Sequence, residues 1–140
     1  LKTLPRGVRV IAEPGRFIAG PSGTSVATVV GRAQREGRWW YYLDDGLYGS
    51  FSGQLYDHAV YPVDSLRARG PRQPSVLAGP TCDSIDVIRE DIPLPELGIG
   101  DLVAGRMMGA YTAASATDFN YIPRAKIVAV NEGRRAPRAS

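Results

Sequence analysis

The stretch SVATVVGRAQREGRWWYYLDDG, Ser25 to Gly46, decides the fold. Ser25–Gly31 alternates apolar with small or polar residues and continues in that manner towards Gln34. Trp39–Leu43 is aromatic-rich and stops at Asp-Asp-Gly. β-Branched and aromatic residues with period-two alternation, bounded by turn formers, predict strands. Outward from this stretch the same grammar repeats. Val8–Ala12, Ser75–Ala78, Leu102–Ala104 and Lys126–Val130 are further short apolar runs set between Gly, Pro and Asp clusters. Helical periodicity is weak: Arg16–Thr24 has room for a short helix after a Pro-Gly turn, and Ser84–Glu90 for a helical turn. Arg69–Pro74 reads as a loop, a hairpin connection. No internal repeat is present. So many strands in a small chain need their edges covered, so the expected architecture is mainly β, a closed or nearly closed barrel.

The chain has 140 residues, enough for one domain around one core. Its apolar fraction of 44% and charged fraction of 22% are those of an ordinary globule, and no apolar run is long enough for a membrane span. One cysteine excludes an intrachain disulfide and points to a reducing compartment such as the cytoplasm. The net charge of +3 is modest, and three arginines of that excess sit in the terminal GRRAPRAS, which reads as a solvated, disordered tail over 133–140. A basic stripe interleaved with aromatics is lacking, so nucleic-acid binding is not expected. The sequence enters a strand-like run almost at once and without an initiating Met, which suggests a piece of a longer protein.

Four motifs carry chemistry. AEPGR, Ala12–Arg16, follows an apolar run; glycine permits close backbone approach to an anion, and arginine can hold a phosphate through two parallel hydrogen bonds. Its plain alternative is a turn with a surface ion pair. YYLDDGLYGSFSGQLYDHA, Tyr41–Ala59, reads as a strand, a Gly-containing turn and a second aromatic run, a hairpin with packed tyrosines in which Asp57 is a strand-end carboxylate. His58 is the only histidine, and with no other His or Cys nearby a metal site is not expected. GPTCDSID, Gly79–Asp86, sets the single thiol beside carboxylates; negative neighbours oppose thiolate formation, which disfavours a nucleophile and suits a proton donor. A buried structural cysteine is the alternative. MGAYTAASATDFN, Met108–Asn120, offers a tyrosine hydroxyl among small residues that leave room for a ligand; a tyrosine packed on the barrel is the alternative.

Taken in order, EPGR, DDGLYGSF, LYDHA, GPTCDSID, GDLV, GAYT and DFN resemble the C-terminal part of the fold type III pyridoxal-phosphate decarboxylases, the ornithine and lysine decarboxylases above all. The resemblance runs from about Glu13 to Val130. It implies a C-terminal β-barrel domain over 21–132, preceded by 1–20 as the end, with the last strand, of a β/α barrel whose remainder lies elsewhere. It implies pyridoxal 5'-phosphate as cofactor and a homodimer with active sites shared between subunits. By the same resemblance, Glu13 pairs with the pyridine nitrogen, and Pro14, Gly15, Arg16 and Tyr111 belong to the cofactor site, with Gly15, Arg16 and Tyr111 at the phosphate. Tyr56 and Asp57 meet the distal amine of a basic amino acid. Cys82 gives a proton to the substrate carbon, and Asp83 is a second carboxylate for the amine. Cys82 and Asp83 reach into the partner's site, Tyr48 lines that cross-subunit pocket, Phe119 forms part of its wall, and Asp86 makes an interface ion pair. The implied reaction converts ornithine or lysine to the diamine, in polyamine biosynthesis. Diaminopimelate or arginine decarboxylation, and a non-catalytic homologue that keeps the dimer surface as a regulatory partner, are the alternatives. The only lysines, Lys2 and Lys126, lie in no motif resembling the family's cofactor-binding lysine, so the resemblance implies that this chain alone is inactive and that a barrel segment, upstream or separately supplied, carries that lysine.

Overall fold

The computed structural model describes residues 3–5 and 7–131. Six strands, β1 (Thr24–Arg35), β2 (Arg38–Leu43), β3 (Val63–Ser65), β4 (Gln73–Ala78), β5 (Val87–Leu94) and β6 (Leu102–Arg106), form one sheet in the order β3-β6-β1-β2-β4-β5. The sheet curls into a nearly closed barrel around its core, as the alternating sequence predicts.

The long strand β1 makes that curl possible. Its first half pairs antiparallel with β6, Thr24 opposite Arg106 through Thr28 opposite Leu102. Its second half pairs antiparallel with β2, and the register shifts between Val29 and Gly31. A bulge of this kind bends a strand and raises its twist, so one strand serves two halves of the sheet. Glu36 and Gly37, at φ +50° and +75°, close the β1–β2 turn in the left-handed conformation that matches strand twist. Along β1, Ala27 and Val29 point inward and Val26 and Val30 outward. Tyr41, Leu43, Phe51, Leu77, Ile88, Leu94, Leu97 and Val103 complete the core. Each fully buried side chain of this size contributes about 1.5–3 kcal/mol of transfer free energy. The Tyr41 hydroxyl, deep in that core, accepts the Leu97 N–H at 3.1 Å. Burial, the largest influence, pushes its pKa up.

Strands β2 and β4 run parallel, so the chain between them must cross over. That crossover carries the short helix α2 (Gly53–Asp57) and β3. Tyr41–Ala59 is therefore not a hairpin: after Leu43 the chain folds into turns and α2, because Asp45 gathers the backbone there. Its Oδ1 accepts the N–H groups of Gly46 and Ser50, both at 2.9 Å, and Asp57 ends a helix, not a strand. The 69–74 segment is likewise no hairpin connection. It leads from β3, at one end of the strand order, to β4 near the other, and Gln73 and Pro74 already belong to β4.

Other sequence expectations meet mixed outcomes. The helix after the Pro-Gly turn is present as α1 (Gly15–Ala19) followed by a 3-10 turn, Gly20–Ser22. Ser84–Glu90 is not helical: Ser84 and Ile85 form a turn and β5 starts at Val87, whose apolar partners pull it into the sheet. Val8–Ala12 and Lys126–Val130 form no strand, since among the described residues no neighbouring strand meets their backbone groups. The 133–140 tail and Lys2 lie outside the described residues.

Candidate functional site

The predicted site residues gather into two clusters. The first lies where α1, α2 and the 107–112 loop meet. Arg16 of α1 directs Nη2 to the Asp57 carboxylate at the end of α2, 2.5 Å away. Its Nη1 donates to the Ala110 carbonyl at 3.4 Å, and the guanidinium lies over the Tyr111 ring at 5.0 Å. Tyr111 curves towards the same point: a Cβ on Gly15 would stand 3.4 Å from its hydroxyl. Gly109, with the Gly20 carbonyl accepting its N–H at 3.0 Å, holds this loop against the turn after α1. Tyr111 itself is left-handed, at φ +56°, a conformation such a side chain adopts only where its surroundings hold it. An open cleft lined by Arg16, Asp57, Val60, Pro62 and Met107 borders the cluster.

The second cluster sits on the β4–β5 connection. The 79–86 loop closes on itself: Gly79 N–H donates to the Asp86 carbonyl at 2.8 Å, and Asp86 N–H to the Asp83 carbonyl at 3.0 Å. At its tip Cys82 is a free, exposed thiol, so the buried structural alternative does not hold. Tyr48 donates to Asp83 Oδ2 at 2.5 Å, and the Ile85 N–H to Oδ1 at 3.2 Å. The Tyr48 hydrogen bond first, then that of Ile85, holds the Asp83 carboxyl below the usual carboxylate range. Reciprocally, the hydrogen bond to Asp83 pushes the Tyr48 phenol up to about 12. Phe119 stacks on Tyr48 with centroids 4.2 Å apart.

Asp86 is engaged within its own chain. It is buried, with Oδ1 accepting the Leu47 N–H at 2.8 Å and Oδ2 accepting the Thr81 N–H and hydroxyl at 3.0 and 2.7 Å. A carboxylate so enclosed fastens two loops of its own chain. Gly46 and Gly79 make space for it, as a Cβ on either would collide with the carboxylate. Glu13 and Pro14 lead into α1, with Glu13 exposed and Pro14 at the N-cap. Tyr56 is exposed on α2. Asp57 and Asp83 belong to different clusters, and among the described residues no hydrogen bond joins them.

Sequence reasoning missed the direct Arg16–Asp57 pair, the buried acceptors Asp45 and Asp86, and Asn120, whose amide donates to Cys82 Sγ at 3.5 Å. The signal for the acceptors was present in the spacing: an aspartate just before Gly46, and another closing Thr81–Asp86, both suit side-chain capping of tight turns.

A barrel of this topology with a guanidinium, a phenol and a glycine drawn to one point defines a class. The chain belongs to the pyridoxal-dependent decarboxylases: the model of their C-terminal sheet domain matches residues 17–109. Among particular relatives, the lysine/ornithine decarboxylase of Selenomonas ruminantium is 47% identical over 79% of this chain and 28% of its own length. The chloroplastic ornithine decarboxylase of Nicotiana glauca is 38% identical over 85% of this chain and 30% of its own. The crystal structure of the Vibrio vulnificus lysine/ornithine decarboxylase complexed with cadaverine superposes with a TM-score of 0.84 at 61% identity, covering 94% of this chain and 36% of that one. The arginine decarboxylase of Paramecium bursaria Chlorella virus, bound to agmatine, gives 0.72 at 38% identity over 77% of this chain and 30% of that one. The chain thus spans under a third of the length of these curated relatives.

Pyridoxal phosphate is the cofactor of this family, and the first cluster suits its phosphate. Arg16 already holds an anionic oxygen, that of Asp57, with a phenol and a side-chain-free glycine beside it. That donor set is the chemistry a phosphate requires.

Proposed function

We propose that this chain is the C-terminal portion of a decarboxylase that converts ornithine or lysine to the diamine, supplying polyamine biosynthesis in the cytoplasm. The observation that carries the reading is the pairing at the loop tip: an exposed thiol, Cys82, next to a carboxylate, Asp83, kept ionised by Tyr48. An ionised carboxylate reads an alkylammonium, and a neighbouring thiol delivers a proton. That the Vibrio relative was solved with cadaverine and, separately, with putrescine supports diamines as the products here. Its 61% identity, against 38% to the arginine decarboxylase, favours the shorter substrates.

In this reading Arg16, Gly15 and Tyr111 hold the cofactor phosphate, and Glu13, following the family resemblance, keeps the pyridine nitrogen protonated. Bound pyridoxal phosphate supplies the electron sink that lets the substrate carboxylate leave as carbon dioxide. This chain's residues bind and protonate the substrate. Asp57 from one subunit and Asp83 from the other hold the distal ammonium, with Tyr56 and Tyr48 as flanking walls, and Cys82 gives its proton to the substrate carbon. Residues 1–20 complete the β/α barrel, residues 21–132 are the sheet domain, and an upstream segment brings the barrel and its lysine. The exposed Val8, Val10, Ile11, Phe17 and Ile18 support such a covering body, because apolar residues grouped at a surface mark an interface.

The test uses the full-length parent, loaded with pyridoxal phosphate and assayed on ornithine, lysine, arginine and diaminopimelate. Diamine release from ornithine or lysine with the highest kcat/KM supports the reading. Preference for arginine or diaminopimelate, or no turnover of any of them, overturns it.

A further inference from the structure

We propose that Asn120 is a positioning residue for the Cys82 thiol: its side-chain amide takes the sulfur as acceptor and leaves the S–H free to point at the substrate carbon. The inference rests on the reading of Cys82 as proton donor and adds a residue to it. The amide nitrogen stands 3.5 Å from Sγ, within reach of an N–H···S hydrogen bond. Cys82 sits at a loop tip, and among the described residues this is the one side-chain hydrogen bond its sulfur receives. The donor comes from a segment anchored on Tyr48. Thr117 N–H donates to the Tyr48 carbonyl at 2.8 Å, Phe119 stacks on the Tyr48 ring, and Arg124 clasps Asp118 through two hydrogen bonds of 2.8 and 3.1 Å. The same Tyr48 holds Asp83, the neighbour of Cys82. One tyrosine thus registers the amide-bearing segment against the thiol-bearing loop.

Backbone conformation points the same way. Asn120 and Tyr121 are consecutive left-handed residues, at φ +55° and +56°, inside the turn Phe119–Tyr121. Asparagine tolerates this region, but a tyrosine, here almost fully exposed, has no reason of its own to adopt it. The turn that results aims the Asn120 amide back at the sulfur. In the proton transfer the S–H bond breaks, its proton joins the substrate carbon as a C–H bond, and the electron pair stays on sulfur. The Asn120 N–H then faces a thiolate, and a hydrogen bond to an ionised acceptor is stronger than one to a neutral acceptor. The amide therefore assists the step as well as aiming it.

The experiment compares wild type, Asn120→Gly and Asn120→Asp in the full-length parent. Glycine keeps the left-handed backbone and removes the donor; aspartate keeps the shape and replaces the donor with an anion. Two readouts are taken: the pH profile of Cys82 alkylation by iodoacetamide, followed by mass spectrometry of its peptide, and the fraction of turnovers that end in diamine. Since the thiolate is the nucleophile, the alkylation profile should move to higher pH in both variants, further in aspartate, with alkylation at neutral pH slowed roughly 3- to 10-fold. The diamine fraction should fall in both. Profiles superimposable on wild type overturn the proposal, as does a shifted profile with an unchanged diamine fraction. Cys82→Ala, assayed alongside, separates the two layers: if it leaves the diamine fraction intact, the proton-donor reading fails irrespective of Asn120.

Discussion

Tyr48 donates a 2.5 Å hydrogen bond to the carboxylate of Asp83, joining the turn after β2 to the loop between β4 and β5. Each residue alters the other's acidity. Asp83 is lowered from 3.8, chiefly by the phenol, and Tyr48 is raised to about 12 from 10.0, chiefly by the carboxylate. Both shifts favour the same state, phenol protonated and carboxylate ionised. The depressed Asp83 makes its contribution above its ordinary value and loses it as pH falls through its lowered one. The raised Tyr48 makes its contribution below about 10 and loses it as pH rises towards 12.

That coupling predicts a titration. Tyrosinate absorbance of wild type minus that of Tyr48→Phe should show one phenol ionising near 12. In Asp83→Asn the same difference should move down towards 10, because the largest cause of the shift is gone. A Tyr48 difference titration unchanged by Asp83→Asn would show that the hydrogen bond does not form in solution.

The Arg16–Asp57 pair predicts a separation of stability from cofactor retention. Both side chains are partly exposed, at 35% and 45%, and an ion pair so placed is worth about 0–1 kcal/mol. In the full-length parent without cofactor, Arg16→Ala should shift the urea midpoint little. Once loaded, it should lose pyridoxal phosphate on dialysis at least ~10-fold faster, since one charge-assisted contact of about 1.5–3 kcal/mol is missing. Asp57→Asn should retain the cofactor at least as well as wild type, because it removes a competitor for the guanidinium, while raising KM for the diamino acid. Equal cofactor retention in Arg16→Ala and wild type would remove Arg16 from the phosphate site.

The strands of the barrel were legible because β1, β2, β4 and β6 advertise themselves through alternation and β-branched or aromatic content. The crossover between β2 and β4 was not. DDGLYGSF carries aromatics that read as strand, but Asp45 and Asp86 collect its backbone N–H groups, and that is a tertiary event no local pattern announces. Val8–Ala12 and Lys126–Val130 failed for the opposite reason: the composition suits a strand, yet a strand exists only where a neighbour accepts its hydrogen bonds. At the site, the residue types were readable and their partnerships were not. Arg16 and Asp57 stand 41 positions apart, Cys82 and Asn120 38 apart, and only the fold brings them together.

Asp86 separates two accounts of a carboxylate in the 79–86 loop. If it formed an ion pair across subunits, Asp86→Ala would weaken the dimer and leave each subunit's stability alone. Within this chain it is buried, with Leu47 N–H, Thr81 N–H and the Thr81 hydroxyl all donating to it. Removing the acceptor strands two backbone N–H groups and a hydroxyl in a place with little water, each at about 1–3 kcal/mol if unrelieved. Asp86→Ala in the full-length parent should therefore lower unfolding stability by roughly 2–5 kcal/mol, read as a fall in urea midpoint. Asp86→Asn, which keeps one accepting oxygen but turns an N–H₂ towards donors, should fall between. Because Gly79, Asp83 and Asp86 close one loop through main-chain hydrogen bonds, the same loss should loosen Cys82 and reduce kcat at temperatures below unfolding. A dimer that dissociates on sedimentation while the urea midpoint stays put would show that Asp86 acts across subunits and not within its own.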